Sequence, residues 1–194
     1  LILAMLAGCT QPETDLPQNG DEQEGPGVEA ETVKVGMVGP LTGGAATYGL
    51  SVRNGVQIAI DEANENEEIP GVTLELIAED TEGDWSKAAN AFSKLIDQNK
   101  VDVIVGAVLS SETEAGGPIA MDGRVPTISP SSTSTGLTVG NPYLFRNCLS
   151  DEVQASQLAE YAVTELGFEK FAILYTNNDY GVALKNAFEE TAEE

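Results

Sequence analysis

The chain has 194 residues, 32 acidic against nine basic, a formal net charge of −23, 41% hydrophobic residues and no histidine. That charge argues against binding nucleic acid, whose phosphates it would repel, and against anionic membrane surfaces. Without histidine there is no Ser-His-Asp triad, no Cys-His dyad and no His-ligated zinc or iron, and neither a cofactor nor a metal is implied.

The opening LILAMLAG is an apolar run too short to cross a bilayer, which needs about 20 residues. It reads as the tail of a signal peptide. It ends in Leu6-Ala7-Gly8-Cys9, which resembles the lipobox of bacterial and archaeal lipoproteins. The resemblance implies that Cys9 is the lipidation site and the mature N-terminus, so residues 1–9 are expected to be a signal-peptide remnant and lipobox. The next stretch, Thr10 to Glu31, holds seven acidic residues, three prolines, three glycines and no Lys or Arg. Almost nothing in it can be buried, and a disordered acidic tether is expected over residues 10–31. Such a tether spans roughly 26 Å on average and at most ~75 Å, which suits a membrane-anchored, extracytoplasmic body. The remainder still carries 25 acidic residues against nine basic ones. An acidic surface with few lysines is typical of proteins working in high salt, where screening removes self-repulsion, so a halophilic source is expected. Cys148 is the only other cysteine. It cannot form an internal disulfide framework and reads as a small buried hydrophobe.

From Val33 the chain alternates. Val33 to Val38 is a short apolar strand ended by Gly39-Pro40, followed by a glycine-rich loop from Leu41 to Tyr48. Val52, Val56, Ala59, Ile60 and Ala63 trace one helical face. Val72 to Ala78 is a strand, and Trp85, Ala88, Ala89, Phe92, Leu95 and Ile96 trace a second helix with Asp84 as its N-cap. Val101 to Val108 is a third strand. Ser111 to Met121 is a helix with a weak centre at Gly116-Gly117-Pro118, and Val125 to Ile128 is a fourth strand. This βαβαβαβ order predicts an α/β, doubly wound parallel sheet with right-handed crossovers. Beyond it, Tyr143 to Asn147 is expected to be extended, Asp151 to Leu166 a helix, Phe171 to Tyr175 a strand and Val182 to Glu193 a helix.

In such a sheet the ligand site lies beyond the carboxyl ends of the strands. The loops there lack G-x-x-x-x-G-K-[ST] and G-x-G-x-x-G, so phosphate cradling has little support. They carry hydroxyls instead: Ser110-Ser111, and the run from Ser129 through Ser131, Ser132, Thr133 and Ser134 to Thr135. Ser111 with Glu114 matches a capping box, which would set a helix N-terminus beside Ser110 and suit a small carboxylate. On pattern alone, the same residues read better as a helix cap and a solvated loop.

Four separated stretches, VKVGMVGPLTGGAATYG, DVIVGAVLSSETEAGGPIA, VPTISPSSTSTGLT and FAILYTNNDYG, resemble in order and spacing the leucine/isoleucine/valine-binding type of ABC-transporter substrate-binding protein. The resemblance runs from Val33 to about Phe188. It implies the type I periplasmic-binding fold: a first lobe nearly complete over residues 32–149 and the start of a second, truncated lobe over residues 150–194. It also implies an amino acid, branched-chain first, or a related amide in an interlobe cleft. By motif position Ser110 resembles the serine that binds the ligand carboxylate, and Thr133 the threonine that holds the ligand's backbone end. Ser131 and Ser132 fall on residues contributing main-chain groups, and Tyr48 and Tyr180 on aromatics lining the pocket; either tyrosine could equally be a packing residue. Leu109 stands where some members have a disulfide-forming cysteine. The acid that usually pairs with the ligand's ammonium falls in a part of the family pattern beyond this chain.

The function expected is therefore a monomeric receptor that passes its ligand to an ABC permease and performs no chemistry. Two other readings stand beside it. The same fold serves as a ligand sensor, which a lipobox disfavours, and an exported enzyme could use Glu79, Asp80 and Asp84 in acid–base work, although that cluster reads as well as an N-cap with solvated neighbours.

Overall fold

The computed structural model describes residues 31–193, so the expectations for Cys9 and for the tether up to residue 30 lie outside the described residues. Five strands, β1 (Glu31–Gly39), β2 (Val72–Asp80), β3 (Val103–Gly106), β4 (Thr127–Ser129) and β5 (Leu144–Arg146), form one sheet in the order β2-β1-β3-β4-β5. Every pairing is parallel. The helices α1 (Ala46–Glu65), α2 (Trp85–Ser93) and α3 (Ser110–Gly123) make the first three crossovers. This is the α/β parallel architecture expected from the alternation.

From β1 the chain moves sideways to β2, then returns to the other side of β1 and proceeds outward through β3, β4 and β5. The reversal creates a switch point between β1 and β3, where a crevice opens above the strand ends. Met37 and Val38 are consecutive on β1, point to opposite faces, and are both fully buried. Both faces of the sheet are therefore covered. On one of them Val38, Phe92, Leu95, Ile104 and Ala120 belong to a single apolar cluster that joins β1 and β3 to α2 and α3.

Asp84 caps α2, accepting the N–H groups of Ser86 and Lys87 at 2.9 Å. Trp85, expected on the buried face, is instead 65% exposed. The buried stripe starts one turn later, at Ala88, because Trp85 is the first helical residue and still overhangs the strand ends. A wider π turn over Lys94–Asn99 extends α2, and Lys100 closes it in the left-handed conformation at φ 56°.

The supposed weak centre of α3 is no break. A Cβ on Gly116 would lie 2.1 Å from the Phe92 ring, so the glycine lets α3 settle directly onto α2. The helix starts earlier than expected, and the cap differs. Leu109 is the N-cap and Glu112, not Glu114, is the acid that turns back, its carboxylate accepting the Leu109 N–H at 3.1 Å. Leucine has no side-chain acceptor to complete a capping box.

After β5, α4 (Asp151–Glu160) continues as a π turn over Tyr161–Glu165, and α5 (Asp179–Glu193) packs against α4. α5 begins three residues before the expected Val182 because the Asn178 side chain accepts the Gly181 N–H at 2.9 Å. The expected strand from Phe171 to Tyr175 does not form. A strand needs a ladder, and no strand pairs with this segment among the described residues.

Candidate functional site

Three loops meet at the switch point. The loop after β1 is held by Asp80 at the end of β2, whose carboxylate accepts the Leu41 N–H at 2.8 Å, the Thr42 N–H at 3.2 Å and the Thr42 hydroxyl at 2.6 Å. That clasp fixes the approach to α1, whose first turn carries Tyr48.

The loops after β3 and β4 are stitched to each other. Ser131 donates its hydroxyl to the Val108 carbonyl at 2.7 Å, Ser129 donates to the Ala107 carbonyl at 2.7 Å, and the Ser134 N–H donates to the Ser110 hydroxyl at 3.3 Å. From the far side, Arg146 donates to the carbonyls of Thr133 at 3.2 Å and Ser134 at 2.9 Å. The Asp151 N–H donates to the Thr133 carbonyl at 2.8 Å. The hydroxyl loop is thereby fixed from both sides.

Above these loops lies a cavity of about 330 Å³ lined by Tyr48, Val108, Leu109, Ser110, Ser111, Ser131, Thr133, Asn178 and Tyr180. Five of the six residues singled out in the sequence thus line one cavity. Tyr48 enters from α1 and Tyr180 from α5, 69% and 47% exposed. Ser132 is placed otherwise: it is fully buried below the cavity, its N–H donates to Ser129 Oγ at 3.0 Å, and its hydroxyl lies 2.7 Å from that of Thr113. Its carbonyl accepts from the Cys148 thiol at 3.3 Å. Neither its side chain nor its main chain is presented to the cavity, because its N–H, carbonyl and hydroxyl are all taken up by bonds beneath it. Cys148 is free and half-buried, and burial pushes its thiol up.

The lining contains no charged side chain. Its polar capacity is hydroxyl and amide, suited to hydrogen-bonding a carboxylate at a helix N-terminus. The Thr133 hydroxyl is buried without a hydrogen-bond partner. Next to it is Asp151, which sequence reasoning passed over as a helix-start acid. Both oxygens of its fully buried carboxylate also lack partners. Burial pushes the Asp151 carboxyl up, while the adjacent Thr133 hydroxyl and the Arg146 guanidinium pull it partly back. The only sequence signal for it was position, directly after the residues that clasp the hydroxyl loop.

The alternative carboxylate cluster is already occupied. Asp80 holds the first loop, Asp84 caps α2 and Glu79 pairs with Lys94 at 2.7 Å. Among the described residues no group of three or more acidic or cysteine side chains is placed to hold a metal.

The family model for the periplasmic binding protein matches residues 32–194. The chain is 30% identical over 160 residues to the Leu/Ile/Val-binding protein BraC3 of Rhizobium johnstonii, covering 82% of this chain and 43% of the relative. In fold it is similar to the branched-chain amino acid transporter substrate binding protein LivJ of Streptococcus pneumoniae in complex with isoleucine. That match has a TM-score of 0.77 and 34% identity, over 83% of this chain and 47% of that one. It is likewise similar to an ABC transporter substrate-binding protein of Desulfitobacterium hafniense in complex with Leu, with a TM-score of 0.73 and 31% identity over 84% and 48% of the two chains. The chain spans less than half the length of these relatives.

Proposed function

The chain belongs to the periplasmic binding protein family, and on that premise we propose that the protein is an extracytoplasmic solute-binding receptor of an ABC uptake transporter. It captures a small amino acid, branched-chain first, above the ends of β1, β3 and β4, and hands it unchanged to a permease. The observation that carries this reading is the uncharged, hydroxyl-lined cavity above the strand ends. Ser110 and Thr133 hold the carboxylate of the ligand. Val108, Leu109, Tyr48 and Tyr180 surround an aliphatic side chain. A volume of 330 Å³ sits at the small end of ligand pockets, about 300 to 1,000 Å³. The relatives crystallised with isoleucine and Leu support the same ligand class.

Titration calorimetry with L-leucine tests these roles. Ser110→Ala and Thr133→Val should each weaken leucine ~10-fold or more, the worth of a hydrogen bond to a charged group at about 1.5–3 kcal/mol. Unchanged leucine affinity in both hydroxyl variants rejects the assignment.

We further propose that the protein is held at a membrane through lipid on Cys9 and works as a monomer at high salt. The apolar run before Cys9 and the acidic surface support this. Mass spectrometry of membrane-extracted protein should find Cys9 acylated at the mature N-terminus, and an unmodified Cys9 in that fraction overturns the anchor.

A further inference from the structure

Glu112 is completely buried, yet both its oxygens are used. One accepts the hydroxyl of Thr81, itself fully buried in the loop leaving β2. The other accepts the N–H of Leu109, a wall of the cavity and the residue before Ser110. Thr81 is tied onward: its N–H donates to the Gly39 carbonyl at the end of β1 at 3.1 Å, and its own carbonyl accepts the Asp84 N–H at 2.9 Å. One side chain therefore joins the loop leaving β2 to the loop leaving β3, and the Thr81 backbone carries the link on to the end of β1.

A helix cap alone does not call for this arrangement. Asp84 caps α2 from an exposed position and avoids the desolvation that Glu112 suffers. Burial pushes the Glu112 carboxyl up, the bonds from Thr81 and Leu109 hold it back, and the like charge of Asp80, the charged neighbour on β2, pushes it further up. Keeping an ionisable group in so unfavourable a place makes sense if its two acceptors set the geometry of what they hold.

We propose that Glu112 is a positioning residue for ligand capture: by tying Leu109 to the loop after β2 it fixes the Leu109–Ser110 backbone where the cavity needs it, without touching the ligand. The proposal rests on reading the cavity as the amino-acid site. Its specific content is that two hydrogen bonds, and not a negative charge, do the positioning. Glutamine has the same length and can accept the Leu109 N–H with its oxygen while its amide donates to Thr81 Oγ1, since a hydroxyl also accepts. Alanine removes both bonds.

The test is calorimetry of L-leucine with the native protein, E112A, E112Q and T81V, together with hydrogen exchange at Leu109 and Ser110 without ligand. E112A should bind leucine ~10-fold or more weakly and expose the Leu109 amide to exchange, while E112Q stays within about threefold of the native protein. T81V should fall between them, and adding it to E112A should cost nothing more. Because the carboxyl is raised, its ionisation erodes stability as pH climbs past the ordinary glutamate value of 4.5. E112Q removes that loss, so its melting temperature should gain on the native protein as pH rises while its affinity does not change. E112A with native affinity and a protected Leu109 amide overturns the proposal, and so does E112Q as weak as E112A. If E112A fails to fold, E112Q and T81V decide by the same readouts. If the native protein ignores leucine, the ligand reading fails, and exchange at Leu109 still judges Glu112.

Discussion

Two aspartates near the site have opposite surroundings, and pH separates them. Asp80 lies at the surface and accepts hydrogen bonds from the Leu41, Thr42 and Glu82 N–H groups and from the Thr42 hydroxyl. Burial pushes its carboxyl up, but these four donors together outweigh that and bring it down to about 2. Asp151 has only the Thr133 hydroxyl and the Arg146 guanidinium to pull against burial, and burial leaves its carboxyl raised. For Asp80 the folded state favours the anion. Its contribution is present above the ordinary value of 3.8 and is lost as pH falls through about 2. For Asp151 the sign reverses: the neutral form favours folding, and stability is lost as pH rises through its raised value. Asp80→Asn keeps one acceptor oxygen, on which the three N–H groups converge, but removes the negative charge that strengthens those bonds and turns the other oxygen into an amide that only donates. Thermal unfolding should therefore show this variant below the native protein above pH 3.8, with the gap closing as pH approaches about 2. A gap that does not change across that window would mean the clasp is not made by the charged form.

At the scale of elements, sequence and structure agree wherever the signal is local. The N-cap at Asp84 was legible because an acid immediately before a periodic apolar run leaves few other readings, and its bonds to Ser86 and Lys87 are there. The start of α3 was not. Both Glu112 and Glu114 lie within reach of a helix start in sequence, and only the burial of Glu112 selects it, which a residue type normally found exposed does not announce. In the same way the Ser/Thr run was legible as a polar loop above β4, while the role of each hydroxyl was not. Ser132 and Ser134 are buried while Ser131 and Thr133 line the cavity, an arrangement set by the hydroxyl bonds donated to the Val108 and Ala107 carbonyls and by the bond from Arg146. Gly116 shows the converse. A residue that weakens an isolated helix is the one that lets α3 meet Phe92. Phe171 to Tyr175 has the composition of a strand, but strand formation depends on a partner that composition does not supply.

The molecule as a whole divides into regions of unequal support. β1 is hydrogen-bonded along its nine residues to β2 and over four of them to β3, and it lies between two covered faces. Opening it requires dismantling the apolar cluster around Phe92. Residues 171–175 have no ladder, and Leu174 is 101% exposed, with Phe171, Ile173 and Tyr175 also substantially exposed. What holds the later part together is chiefly α5 against α4, with Phe171 meeting Phe188 edge-on at 5.2 Å. We propose on this basis that residues 32–149 and 150–194 belong to separate folding units, the first closing a core of its own. Local opening costs little where few apolar contacts and no backbone bonds must be broken, and approaches the global cost in a central strand. Hydrogen exchange on the 194-residue chain should then find the amides of Val35 to Val38 and Ile104 to Val105 among the slowest, exchanging only on global unfolding. Those of Phe171 to Tyr175 should be lost orders of magnitude sooner, with α4 and α5 between. Equal protection in β1 and in residues 171–175 would show that the two parts unfold as one cooperative unit and that the boundary near Ser150 is misplaced.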